Sequence, residues 1–80
     1  MKIPAIKKAS EQYSYDILNQ AKDDLLDAKE LQIDISGEDE GEQLTHIIAA
    51  MWVLEQMEER EIDMRTALRE YAVKVRDSIS

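Results

Sequence analysis

Apolar residues recur along the chain at the three- and four-residue spacing of amphipathic helices. The first such stretch runs from near Pro4 to about Leu31, and proline suits a first turn because its missing N–H has no intrahelical partner there. We therefore predict one long first helix, with Asp24 inside its apolar stripe and Tyr15 outside it. The stripe comprises Ile6, Ala9, Tyr13, Ile17, Ala28 and Leu31, flanked by Leu18, Ala21 and Leu25.

The pattern breaks before Gly37, where we predict a turn in a connection anchored by Ile33 or Ile35. Ser36 and Asp39 have the spacing of a capping box, with aspartate in place of the usual glutamate or glutamine. Acidic residues follow the glycine, and they favour a helix N-terminus because the helix macrodipole is positive there. The second helix is therefore predicted to begin in this acidic stretch.

The second predicted helix runs from about Glu38 to Glu61 and is apolar around most of its circumference. A helix of this kind must be covered on more than one side. Two neighbouring helices cover part of that surface, and we predict that a second copy of the chain covers the rest. The predicted self-interface residues are Ile48, Met51, Trp52, Val53 and Met57.

The third predicted helix has a clear start, because Asp63 is a good N-cap residue. One apolar stripe follows it, made of Met64, Leu68, Tyr71, Val75 and Ile79. The pattern as a whole predicts an all-α fold: a single domain over residues 1–80, built as a three-helix antiparallel bundle. Dimerisation would complete a four-helix core.

Charge changes this picture, because the 80-residue chain has a formal net charge of −8 that is unevenly placed. Residues 10–43 hold eleven acidic residues against two lysines, a local charge of −9. Direct binding to nucleic acid or to an anionic membrane is disfavoured, because each requires a basic surface. The longest apolar run, from Ile47 to Leu54, is too short to cross a bilayer, and the N-terminus lacks the apolar core of a secretory signal. These features predict a cytoplasmic protein.

The acidic band suggests three roles: a solvated face that keeps the protein in solution, a surface that recruits a basic protein, and a mimic of the nucleic-acid backbone. A mimic would resemble, in composition, small acidic inhibitors made by phages. Our leading hypothesis is a non-enzymatic homodimer that binds a partner protein with a basic surface. The predicted partner-binding residues are Asp23, Asp27, Glu30, Glu38, Asp39, Glu40 and Glu42. A structural subunit of a larger assembly is a further alternative.

An enzymatic alternative comes from Asp23-Asp24-Leu25-Leu26-Asp27, which has two adjacent acids followed by a third. Together with Glu42 at the start of the next helix, it resembles the EExxE and ExxD motifs of the all-α MazG-like nucleoside triphosphate pyrophosphohydrolases, over roughly residues 17–76. The resemblance implies Mg²⁺ bound by Asp23, Asp24, Asp27 and Glu42, and either cleavage of a nucleotide or a relative that shares the fold without the activity.

The chain departs from that family at Thr45, where the ExxD motif requires an aspartate ligand. Nucleophilic catalysis has little support elsewhere, because the chain has no cysteine and its one histidine, His46, lies among aliphatic residues. We therefore assign no catalytic residue and no cofactor under the leading hypothesis, with Mg²⁺ as the cofactor of the enzymatic alternative.

Overall fold

Four α-helices make up the fold. The computed structural model describes the backbone of residues 2–79 and the side chains of residues 2–76, and it contains no β-strand in that part of the chain. The predicted all-α class is confirmed. The predicted count of three helices is wrong, because the first predicted helix is two separate helices. The elements are α1 (Ile3–Gln12), α2 (Tyr15–Leu26), α3 (Glu40–Arg60) and α4 (Met64–Ile79).

The first predicted helix is interrupted at Tyr13 and Ser14. Tyr13 has an extended backbone, and its N–H donates to the carbonyl of Ala9 at the end of α1. Ser14 is extended as well, and its hydroxyl oxygen accepts a hydrogen bond of 3.3 Å from the backbone N–H of Ile17. Serine is a favourable N-cap because this bond satisfies one of the free N–H groups of a new helix. The chain therefore restarts as α2 in a new direction.

α2 ends at Leu26, five residues before the predicted boundary. Ala28 adopts a left-handed conformation with φ of 59°, and its N–H donates to the carbonyl of Leu25. The N–H of Lys29 donates to the carbonyl of Asp24 at 2.7 Å. This pair of bonds is the Schellman arrangement that closes helix C-termini, here with alanine where glycine is usual. Ala28 and Leu31, which were predicted in the helical stripe, lie outside α2.

α3 is the longest helix and lies at the centre of the molecule, where α1, α2 and α4 all pack against it. Its buried residues include Ile47 and Val53, both fully inaccessible to solvent, and each such side chain contributes about 1.5–3 kcal/mol of burial free energy. The break in the first predicted helix gives α3 a third neighbouring helix within the chain, although Ile48 of α3 remains 48% exposed. No helix in the described residues combines the length and apolar character needed to cross a membrane.

The start of α3 is capped by Asp39, not by Ser36 as the spacing suggested. The Asp39 carboxylate accepts a hydrogen bond of 2.8 Å from the backbone N–H of Glu42. Glu42 in turn accepts a weak bond from the backbone N–H of Glu38 at 3.4 Å. The turn before it requires Gly37, because a Cβ at that position would lie 2.7 Å from the Gln43 side chain. The predicted anchor of the connection is confirmed, since Ile35 is buried in the core.

The predicted N-cap of the last helix is confirmed, since Asp63 accepts a hydrogen bond of 2.8 Å from the backbone N–H of Thr66. Arg60 at the end of α3 forms a bidentate ion pair with Glu70 of α4 across this turn. In the predicted stripe, Leu68 is buried, and Met64, Tyr71 and Val75 are partly buried. The side chain of Ile79 lies outside the described residues.

Candidate functional site

The stretch from Asp23 to Glu42, here called the acidic segment, joins the end of α2 to the start of α3. It holds nine acidic residues and one lysine. Among the seven predicted partner-binding residues, the structure leaves the side chain of Glu42 partly buried. The other six are exposed: Asp23, Asp27, Glu30, Glu38, Asp39 and Glu40. The structure therefore exposes most of the predicted residues along a segment whose Asp24 and Ile35 are buried.

The carboxylates of the acidic segment lack basic partners. Within the described side chains, the Arg60–Glu70 pair is the ion pair between a basic and an acidic side chain within 4.0 Å, and it lies outside the segment. Glu42 lies 3.9 Å from the ring of His46, a contact that is ionic only when the histidine is protonated. Unpaired charges of one sign generate a surface potential that attracts the opposite charge. Among the described residues, no lysine or arginine pairs with the carboxylates of the segment, so these charges favour a basic partner.

His46, which sequence analysis treated as a packed residue without a role, is a buried tether. Its Nδ1 lies 2.6 Å from the carbonyl oxygen of Ser36, and its Nε2 accepts a 3.1 Å hydrogen bond from the backbone N–H of Lys2. Because a carbonyl only accepts and an N–H only donates, the neutral ring carries its hydrogen on Nδ1. The side chain thus fixes the beginning of α1 and the end of the acidic segment to α3.

The four carboxylates of the magnesium alternative do not form one cluster. Asp24 is buried and hydrogen-bonded to Gln20, whereas Asp23 and Asp27 are exposed. Glu42 is directed to the cap of α3 and toward His46. Over the described residues, no group of three or more His, Cys, Asp or Glu side chains is arranged to hold a metal ion. The residues present therefore do not fit a Mg²⁺ site of the kind that the resemblance implies.

A second surface is an apolar groove of about 320 Å³ between α2 and α3. Ile48 is 48% exposed there, and Tyr15, predicted to be an exposed aromatic residue, is 42% exposed. Trp52 forms the floor, tilted against Tyr71 at 5.6 Å between ring centroids and covered by the Lys74 ammonium group. The groove is lined by Tyr15, Lys22, Ile48, Met51, Trp52 and Glu55.

The groove contains only part of the predicted self-interface. Met51 is 7% exposed and Val53 is fully buried, so both serve mainly the core of a single chain. Met57 is partly buried against that core. Ile48 and Trp52 are the predicted residues that a second molecule can reach, and the groove adds Tyr15 to them. The charged residues at its rim were not predicted, because their position depends on how α2 crosses α3.

A comparison with protein-family models shows that the chain belongs to a family of unknown function, DUF6952, which matches residues 1–80. No curated protein and no solved structure matches it. The match covers the whole chain, so the four helices and the acidic segment all lie within the family's domain. Function must therefore be argued from the surfaces of the molecule.

Proposed function

We propose that this protein is a non-enzymatic helical protein that binds the basic surface of a partner protein through its acidic segment. The single observation that supports the proposal is that six of the seven predicted partner-binding residues are exposed and have no lysine or arginine partner among the described side chains. Long-range attraction would steer a basic surface to this side of the molecule, and added salt would weaken it.

The composition of the segment supports recognition more than local stability. Asp39 and Glu42 stabilise the start of α3, so their charge has a structural use. Glu30, Glu38 and Glu40 have exposed carboxylates with no hydrogen-bond role for those groups in the described structure. Asp23 and Asp27 lie at the end of α2, where the macrodipole disfavours negative charge. These five residues therefore have no stabilising role that would explain their charge.

The proposal is tested by reversing charges that do not cap a helix. The variant Glu30→Lys/Glu38→Lys/Glu40→Lys removes three carboxylates of the segment and leaves Asp39 and Glu42 in place. Its matched control, Glu58→Lys/Glu59→Lys/Glu61→Lys, makes the same change in net charge at the exposed end of α3. Both variants should fold, as circular dichroism would show.

Affinity capture from a host lysate, at low and at high ionic strength, is the measurement. We expect the unaltered chain and the control variant to retain one salt-sensitive basic protein, and the Glu30/Glu38/Glu40 variant to lose it. Equal retention by all three proteins would contradict the proposal. Competition by duplex DNA for the captured partner would identify the nucleic-acid mimic as the specific form of this function.

We propose further that the groove between α2 and α3 pairs two copies of the chain. The exposed side chains of Tyr15 and Ile48, beside the partly buried Trp52, support this, because aromatic residues are enriched at interface cores. Ile48→Asp would place a charge in that contact, and Val73→Asp, at an apolar site of similar exposure on α4, is the control. Sedimentation equilibrium should show a dimer for the unaltered chain and the control, and a monomer for Ile48→Asp. A monomer of 9.2 kDa for all three would contradict the pairing.

A further inference from the structure

A small pocket of about 130 Å³ lies between α2 and the acidic segment, on the other side of α2 from the groove. Its walls are mainly apolar, and a carboxylate, that of Asp24, is part of its lining. Amide side chains are the other polar groups around it. The lining residues are Ile17, Gln20, Ala21, Asp24, Gln32 and Ile33.

Asp24 as a whole residue is only 7% exposed, and its carboxylate has few partners within the described chain. The hydrogen bond that the structure gives it comes from the side-chain amide of Gln20, 3.0 Å from Oδ1. No lysine or arginine among the described side chains lies within 4.0 Å of it. A buried carboxylate is costly unless a cation or several donors balance it. No buried side-chain oxygen or nitrogen of the described residues lacks a hydrogen-bond partner, so the second carboxylate oxygen of Asp24 keeps access to solvent, where water or a bound cation balances its charge.

The end of α2 adds to the attraction for a cation. Asp24 lies in the last turn of this helix, which ends at Leu26, and no basic residue occupies that turn. The C-terminal end of a helix carries a partial negative charge and favours a positive group nearby. By helix periodicity, Asp23 and Asp27 lie one turn or less from the residues that line the pocket. A buried carboxylate, a helix C-terminus and two exposed acids thus favour a cation at one place.

We infer that the pocket binds a lysine side chain of the partner protein, an inference that rests on the proposed function and gives it an anchor. The aliphatic stem of lysine matches the walls formed by Ile17, Ala21 and Ile33, and its ammonium group reaches Asp24. Arginine fits less well, because one carboxylate oxygen is already bonded to Gln20 and a guanidinium prefers to bind both oxygens. The exposed acids steer the partner, and the pocket then fixes its position.

The test uses the full chain labelled with ¹⁵N and titrated with Nα-acetyl-lysine N-methylamide. We expect saturable shifts of the backbone amide signals of Ala21, Asp24 and Ile33. The Nε-acetylated form of the same probe keeps the stem and lacks the charge, and it should give no saturable shift. The captured partner should move the same signals in the same direction as the lysine probe.

Two isosteric variants separate the pocket from general electrostatics. Asp24→Asn should weaken binding of the lysine probe by about tenfold or more, which corresponds to the loss of one buried charged contact. Asp16→Asn makes the same change in net charge at an exposed site of α2 about two helical turns away, and it should leave the affinity within about twofold. Asparagine keeps the shape of aspartate, so both variants should fold.

The inference would be overturned if the two variants weakened binding of the lysine probe equally, or if the acetylated probe bound as well as the charged one. It would also be overturned if the partner left the amide signals of the pocket unchanged. If capture of the partner still depended on charge, such a result would rule out lysine binding in the pocket. The proposed role of the acidic segment would not be affected. Loss of salt-sensitive capture, with the lysine probe still bound at Asp24, would instead remove the proposed function.

Discussion

At the scale of single residues, His46 is a buried side chain that connects α3 to the acidic segment and to the start of α1. It is completely buried, and its two ring nitrogens hold the backbone at Lys2 and Ser36. The sequence indicated a packed histidine among aliphatic residues. It could not indicate the tether, because both partners are backbone atoms distant along the chain, 44 and 10 residues away.

Replacing this histidine should therefore destabilise the fold. His46→Leu keeps most of the buried volume and leaves the Ser36 carbonyl and the Lys2 N–H without their partner, so we expect a loss of about 1–3 kcal/mol in the free energy of unfolding. Urea denaturation followed by circular dichroism measures it. Thr45→Ala, at the exposed neighbouring position, should change stability by less than about 0.5 kcal/mol. Equal stability of the two variants would show that the tether contributes nothing.

At the scale of helices, the sequence predicted those helix ends that are fixed by hydrogen bonds between residues a few positions apart. The cap at Asp63 and the approximate bounds of α3 followed from residues a few positions apart. The break before α2 was missed because apolar spacing continues from Ala9 through Tyr13 to Ile17. Ile17 is in fact 45% exposed, so that continuity does not describe one buried face. The available signal was Ser14 as an N-cap, which has no glutamate or glutamine three residues later to complete a capping box.

The cap of α4 should make stability depend on pH. Hydrogen bonds from Thr66, from its side chain and then its backbone N–H, hold the pKa of the Asp63 carboxyl below its usual value. Because the pKa of Asp63 is lower in the folded state, its ionised carboxylate stabilises the fold. This contribution is fully present above the ordinary pKa of an aspartate, about 4, and it is lost as the pH falls through the lower pKa of the folded state. Protonation of unpaired acids elsewhere relieves repulsion in a chain of charge −8, so the raw pH profile mixes both effects.

Asp63→Asn isolates the contribution of the cap, because asparagine caps helices well and does not titrate. We expect the stability advantage of the unaltered chain over this variant to shrink as the pH falls from about 5 to about 2. Unfolding by urea at each pH measures the difference. For the variant Glu58→Gln, at an exposed site on α3, the stability difference from the unaltered chain should not shrink in the same way as the pH falls. A constant difference between Asp63→Asn and the unaltered chain would contradict the assignment.

At the scale of the whole molecule, α1, α2 and α4 pack around α3 to form the core. The unpaired acidic residues lie in the segment that joins α2 to α3. The sequence predicted the acidic band, and six of the seven residues predicted to bind a partner are exposed, whereas Asp24 of the same band is buried. It did not predict the two concave surfaces beside α2. The groove at Trp52 and the pocket at Asp24 depend on where α2 crosses α3 and where the connection returns, which are properties of packing.

The account rests most directly on contact between a basic partner and the acidic segment. Hydrogen–deuterium exchange of the chain, alone and in complex with the captured partner, locates that contact. We predict that slowed exchange is concentrated in residues 23–42, with the amides that line the Asp24 pocket among the most protected. Protection confined to α4, or unchanged exchange throughout the acidic segment, would contradict the account.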